Sequence, residues 1–314
     1  MALTLVESAK IALGRDEVLK ATVMELFAKG SDIMQFLPFE DITGNALKFD
    51  REKNLPGVAF RGVNEGYTES TGEVEKVIES LAIAGGDLDV DVFLVKTGGA
   101  GQRAVQENLK IKALTLNITK QIVKGSVLVD PKGFDGLQVR CTGDQLISSG
   151  ATSASQAQAL ALTKLDEVID AVEDPTHLIM NKTMRRLLSA AARSSSVGGY
   201  ITYELDAFGR RVTRYNDLPI LIVDKDENNS DILAFDELGP AASASENTSI
   251  YCVSFAENGV LGLQNAEMDV RDLQEQDSKP VYRTRVEWYI TLGILRPRAA
   301  ARLYGLRNSA VTAT

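Results

Sequence analysis

The chain has 314 residues, 44% of them hydrophobic and 25% charged, with a net charge of −9. That balance excludes disordered, collagenous and disulfide-stapled classes, and it argues against a broadly basic nucleic-acid surface while leaving a local basic patch open. No apolar run reaches the ~18 residues of a membrane span, and no basic-then-apolar leader opens the sequence. Cys141 and Cys252 lie far apart and without metal-ligand spacing, so two reduced, buried thiols are expected.

Residues 1–44 read as an N-terminal arm holding one short helix. Asp16 is placed to cap it, Leu19, Val23, Leu26 and Phe27 form its apolar stripe, and Gly30 suits its stop. Ile33, Phe36, Leu37 and Phe39 around Pro38 predict an extended apolar tether. Residues 45–95 form a long acidic excursion of strand character. Its tip, Gly62 to Gly72, is rich in Gly, Glu, Ser and Thr. As one hairpin, each leg has roughly 22 residues and a reach of ~70 Å. A compact chain of this length is only about 50 Å across. A two-stranded ribbon is marginal in water unless something packs on it, so the excursion is expected to leave its own subunit. Near its base, Leu88, Val90 and Val92 alternate with Asp87, Asp89 and Asp91. Gly85 and Gly86, with Gly98 and Gly99, bracket that base as candidate hinges.

An amphipathic helix is predicted from about Gln102 to Lys124, with Leu114, Ile118 and Ile122 at its centre and Val105, Leu109 and Leu116 widening the face. At about 23 residues it spans ~35 Å. After a low-complexity loop at 148–161 comes a helix–strand–helix unit. Thr163 and Asp166 are read as a capping pair, His177–Met180 as a short strand, and Asn181 as the cap of the next helix. Ser194–Gly199 breaks that helix, residues 200–215 turn as a hairpin near Ala207-Phe208-Gly209, and 239–249 is a second Ala/Ser loop. Ile250–Ala256 and Val260–Asn265 flank Glu257-Asn258-Gly259 and are read as a hairpin. Val281–Thr291 is the clearest strand: Tyr282, Thr284, Val286, Trp288 and Ile290 share one face, and Arg283, Arg285, Glu287 and Tyr289 the other.

Chemistry is poorly represented. Asp87-x-Asp89-x-Asp91 lacks the glycine and the final glutamate of a calcium loop, and Gly98–Gly101 lacks the Lys-Ser/Thr of a phosphate cradle. His177 is the only histidine. No nucleophile triad or zinc set is built without it, and it reads as a packing residue. No catalytic, cofactor or metal residue is assigned. Charge is segregated instead. From Gly62 to Val95 there are eight acids against Lys76 alone, and from Lys279 to Arg307 seven bases against Glu287 alone. The ribbon acids Glu65, Glu69, Glu73 and Glu75 of one subunit are therefore expected to meet Arg283, Arg285, Arg296 and Arg298 of the next.

This order of segments resembles the major capsid proteins of tailed double-stranded-DNA phages, whose shell fold is shared with encapsulin nanocompartments. The resemblance is carried by Leu55-Pro-Gly-Val-Ala-Phe-Arg-Gly-Val-Asn-Glu-Gly-Tyr-Thr-Glu-Ser, Phe134-Asp-Gly-Leu-Gln, Thr176-His-Leu-Ile-Met-Asn-Lys and Tyr282-Arg-Thr-Arg-Val-Glu-Trp-Tyr. It implies an α+β fold with an N-terminal arm (1–44) and an extended β-hairpin loop (45–95). A peripheral domain with a long spine helix (96–130 and 265–314) and an axial α/β domain (131–264) complete it. It further implies a non-enzymatic subunit that builds hexamers and pentamers of an icosahedral head around double-stranded DNA, in a virion assembled in the host bacterial cytoplasm. Many copies of itself, a separate scaffold protein and a portal are the implied partners. DNA is enclosed without sequence-specific binding, and no membrane takes part. No motif marks Lys48, Lys53 or Lys76 for a crosslink, and none is expected. The alternatives are an encapsulin-like compartment, told apart by its protein cargo, a soluble enzyme using carboxylates, and a DNA-binding protein using the C-terminal arginines.

Overall fold

The computed structural model describes residues 2–15, 18–98, 100–150, 158–193, 201–205, 209, 211–239 and 246–312. The N-terminal segment folds onto its own chain. Strand β1 (Leu3–Thr4) leads into helix α1 (Leu5–Gly14), followed by α2 (Val18–Gly30), α3 (Asp32–Phe36) and strand β2 (Pro38–Asp41). The Thr4 hydroxyl accepts from the Glu7 amide while Glu7 accepts from the Thr4 amide, a reciprocal cap that starts α1. The expected tether is therefore a short helix and a paired strand. Ile33, Met34, Leu37 and Phe39 are buried, and Pro38 holds Leu37 extended, which ends α3. The expected cap residue Asp16 lies outside the described residues.

The excursion divides in two. Strands β3 (Ala46–Asn54) and β4 (Glu73–Ser80) pair only with each other, in register from Ala46↔Ser80 to Asn54↔Glu73. At nine residues β3 extends about 30 Å. Strand β5 (Ala82–Asp91) instead enters the body, so the free loop ends near Ser80 rather than at 95. Helix α4 (Val92–Gly98) follows, then α5 (Ala100–Lys124), whose 25 residues span ~37 Å.

The first sheet runs β1–β2–β12–β14–β13, with β12 Val260–Gln264, β13 Asp269–Gln276 and β14 Lys279–Ile294. β5 lies along the opposite edge of β14. The second sheet runs β6–β15–β11–β7–β10–β9–β8. Its strands are β6 Leu146–Ser148, β7 His177–Asn181, β8 Ile201–Leu205, β9 Arg211–Tyr215, β10 Leu218–Val223, β11 Thr248–Val253 and β15 Ala300–Leu306. Helices α7 (Leu162–Ala171) and α8 (Lys182–Ala191) cover one face of it, and short α6 (Leu137–Arg140) follows the spine.

Several expected boundaries move. Strands β11 and β12 flank the Glu257–Gly259 turn but join different sheets, so this is a crossover and not a hairpin. β12, placed with the axial residues, belongs to the first sheet, and β15, placed with the peripheral residues, belongs to the second. The two crossings run together: the Ser254 amide donates to Ala299 O at 2.8 Å, and the Leu295 amide to Gly259 O at 3.0 Å. Helix α7 begins after Ala161 with no side-chain cap, so the Thr163/Asp166 reading fails. Asn181 does cap α8, accepting from the Met184 amide at 2.7 Å.

One core joins the sheets. Trp288 on β14 meets Phe27 edge-on at 6.1 Å and Phe39 at 5.0 Å. Its indole donates to Gln264 at 2.9 Å, and Gln264 donates to Asp41 at 2.7 Å, which ties the N-terminal strand into the sheet. Ile111, Ile118 and Ile122 of α5 pack into the same core, each worth about 2 kcal/mol of burial. Val105 and Leu109, assigned to that face, are 53% and 56% exposed. Thr115 and Thr119 are buried instead, their hydroxyls donating to the carbonyls one turn back at 2.8 Å.

Candidate assembly surfaces

The ribbon is the surface least satisfied by its own chain. Val74 and Ile78 of β4 are exposed, and beyond the paired strands Val58, Phe60 and Val63 are 94%, 106% and 92% exposed. The tip is held mainly by itself: Ser70 donates to Gly57 O at 2.9 Å, Arg61 to Glu65 O at 3.1 Å, and the Gly62 amide to Glu65 at 2.8 Å. Across the strands, Arg51 pairs with Glu75 at 2.7 Å and Lys53 with Glu73 at 3.3 Å. The Arg51 hydrogen bond and charge hold the Glu75 carboxyl below its ordinary range. Glu69 sits exposed on the tip.

The root of the ribbon is fixed more firmly. Glu79 on β4 takes both guanidinium ends of Arg140, one at 2.7 Å, and the two side chains are only 11% and 15% exposed. Arg140 also donates to Asp135 O at 2.7 Å. This bidentate pair docks the ribbon onto the loop after the spine helix. Arg140→Ala leaves Glu79 buried without its cation and is expected to lower subunit stability by about 3 kcal/mol. Adding Glu79→Gln should recover part of that loss in urea denaturation. An Arg140→Ala loss below 1 kcal/mol would show that the pair does not set the root.

The structure gives the expected arginine surface partners inside its own chain. Arg285 donates to Asp87 at 2.7 and 2.8 Å, and Arg283 to Asp89 at 2.6 and 2.7 Å. Asp87 and Asp89 are held below the usual carboxylate range by these hydrogen bonds, and Arg283 and Arg285 are raised by them. The β5 aspartates are thus cross-strand partners, not an open metal loop. Arg296 pairs with Glu173 at 3.4 Å, and Arg298 donates to Ala171 O and Asp170 O. None of Glu65, Glu69, Glu73 or Glu75 is brought to these arginines within the chain.

The hinge residues divide as well. Gly85 and Gly86 lie inside the continuous β5–β14 ladder, opposite Glu287 and Val286. A Cβ at Gly85 would come within 2.4 Å of Val286 O, and one at Gly86 within 2.9 Å of Lys110 Cε. The backbone of β14 requires glycine at Gly85, whereas at Gly86 the neighbour is only the movable end of Lys110. Both lie within a paired strand and not at a bend. Gly98 closes α4, and Gly99 lies outside the described residues.

The titratable core groups are structural. Cys141 and Cys252 are free and buried, and burial pushes both thiols up to about 12. His177 lies between Phe36 and Phe255, with ring centroids 4.8 and 5.1 Å away, and its Nδ1 is 2.9 Å from the Thr176 hydroxyl. Burial pushes the imidazole down to about 4 from 6.5, and the Arg214 charge acts in the same direction. The folded protein holds it neutral, so its contribution is complete above the unfolded value and is lost as pH falls from about 6.5 to about 4. That contribution is ~3 kcal/mol at most. His177→Phe should therefore shrink the fall in Tm between pH 7 and pH 4.5. An equal fall in both proteins would rule the group out as a source of acid sensitivity.

Residues 15–160, a little under half of the chain, match the model of the Major capsid protein GP7 family. No curated protein sequence matches. The fold is similar to that of the SrpI encapsulin complex of Synechococcus elongatus, with a TM-score of 0.63 and 15% identity over 89% of this chain and 88% of that one. The capsid of an empty GTA particle gives 0.57 and 13% over 88% and 90%, and Mycobacterium phage Bobi 0.59 and 10% over 87% and 90%. At these identities the likeness is one of fold: an α+β shell-subunit fold common to phage capsids and encapsulins.

Proposed function

We propose that this chain is a major capsid protein, the structural subunit that builds hexamers and pentamers of an icosahedral phage head. The match to the Major capsid protein GP7 family carries the reading, and the exposed ribbon supports it physically. Within it, the acids Glu65, Glu69, Glu73 and Glu75 lie against a neighbouring subunit. Arg283, Arg285, Arg296 and Arg298 join that contact only where a neighbour's carboxylate shares or displaces an in-chain partner. Bending between nonidentical shell positions is not assigned to Gly85 and Gly86, which lie within the β5–β14 ladder. The subunit performs no catalysis and works with a separate scaffold and a portal, in the host bacterial cytoplasm. It encloses double-stranded DNA without reading its sequence, and the net charge of −9 keeps the wall from gripping it.

The similarity to the SrpI encapsulin complex favours a second reading, a protein compartment with enzyme cargo. Purified particles decide between the two by negative-stain microscopy and content. Closed shells containing DNA support the head, closed shells containing one cargo protein support the compartment, and a stable monomer with no shells, with and without a candidate scaffold protein, removes both.

A further inference from the structure

Helices α7 and α8 cover the same face of the second sheet but opposite halves of it. α7 packs over β15 and β11, and α8 over β7 and β10. Their outer faces carry opposite charge. On α7, Asp166, Glu167 and Asp170 are exposed, and Glu173 and Asp174 follow directly. On α8, Lys182 and Arg186 are exposed one turn apart, Arg193 is exposed just past the helix end, and Arg185 flanks them. α8 contains no acid at all. Lys182 is matched by Asp224, but among the described residues no carboxylate pairs with Arg185, Arg186 or Arg193. The Arg185 Nε is buried and meets no acceptor among the described residues. On the acidic side, Lys164 answers Glu167 at 2.6 Å and the Tyr215 hydroxyl donates to Asp166 at 2.9 Å, while among the described residues no cation pairs with the Asp170 carboxylate.

From this we infer that the basic face of α8 docks laterally against the acidic face of α7 in a second copy of this chain. The inference rests on the shell-subunit reading and deepens it. Two different, complementary surfaces on one subunit make a head-to-tail contact, and repeated rotation of such a contact closes a ring. An interface of this kind sets register and association rate, and it rejects a copy presented the other way round, where like charges meet. Its contacts are solvent-edged, so it should weaken with salt.

Charge reversal in the full chain tests it. Arg186→Glu with Arg193→Glu, and separately Glu167→Lys with Asp170→Lys, should each raise the protein concentration needed for particles about tenfold. The four-fold variant should recover assembly, because the pairs are restored with their signs exchanged. The neutral Arg186→Gln/Arg193→Gln protein, with its Tm recorded, serves as the folding control and should show a smaller rise and a flatter salt dependence. Wild-type-like assembly in both reversed pairs overturns the inference, as does loss in both without recovery in the combination. If the wild-type chain builds no particles with or without a candidate scaffold protein, the shell reading fails first, and the two failures are told apart.

Discussion

Gly262→Ala is expected to leave little stably folded subunit. Gly262 on β12 stands opposite Phe39 in the parallel pairing with β2, and a Cβ there would come within 2.3 Å of the Phe39 ring. The ring has nowhere to retreat. It is 3% exposed and packed on Trp288 at 5.0 Å, which is itself fixed through Gln264 to Asp41. Overpacking of a closed core commonly costs 1–3 kcal/mol, and a site that cannot yield lies at or above about 3 kcal/mol. Phe39→Ala alone creates a cavity and costs a similar ~3 kcal/mol. Because that change also empties the space a methyl needs, the double variant should be no less stable than Phe39→Ala alone. Urea denaturation of the four proteins gives the cycle. Additive losses would mean that the methyl is absorbed elsewhere and that Phe39 is not what requires glycine.

The same strands show what a sequence can and cannot disclose. β14 is legible because it is half-buried: Tyr282 through Ile290 alternate, and Thr284, Val286, Trp288 and Ile290 are buried while Tyr289 is exposed. α8 is legible from Asn181 and its apolar spacing. The N-terminal helix is legible too, since Thr4 and Glu7 stand at capping-box spacing, and the signal is easily passed over in a segment read as an arm. What escapes is partner choice. The turn at Glu257–Gly259 is local, but nothing local says that β11 pairs with β7 and β15 while β12 pairs with β2 and β14. Both strands are fully buried, so neither carries an alternation that would mark its sheet. Charge has the same weakness. The acidic excursion and the basic C-terminal run are correctly complementary, yet Asp87 and Asp89 meet Arg285 and Arg283 inside one chain. Arg185 and Arg186 of α8 and Arg193 beyond it, which pair with no carboxylate among the described residues, look in the sequence like ordinary helix-surface residues.

Excising the ribbon tip should separate folding from assembly. Asn54 and Glu73 are the last paired residues, so replacing residues 55–72 by Asn-Gly closes the strands with a two-residue turn. None of Leu55, Val58, Phe60, Val63 and Tyr67 belongs to a buried cluster. All five are exposed, so their loss removes little that holds the subunit together. The Arg140–Glu79 pair and the β5–β14 ladder stay in place below the cut. The Tm of the shortened subunit should therefore lie within a few degrees of the parent. Assembly should not survive. Each apolar side chain of this size gives about 1.5–3 kcal/mol when removed from water, and in a shell the contact is repeated at every subunit. The shortened chain should stay a small soluble species at concentrations about a hundredfold above those at which the parent forms particles, read by light scattering and microscopy. Normal particles from the shortened chain would mean that the ribbon tip covers nothing on its neighbour, and the assembly role of the excursion would be lost with it.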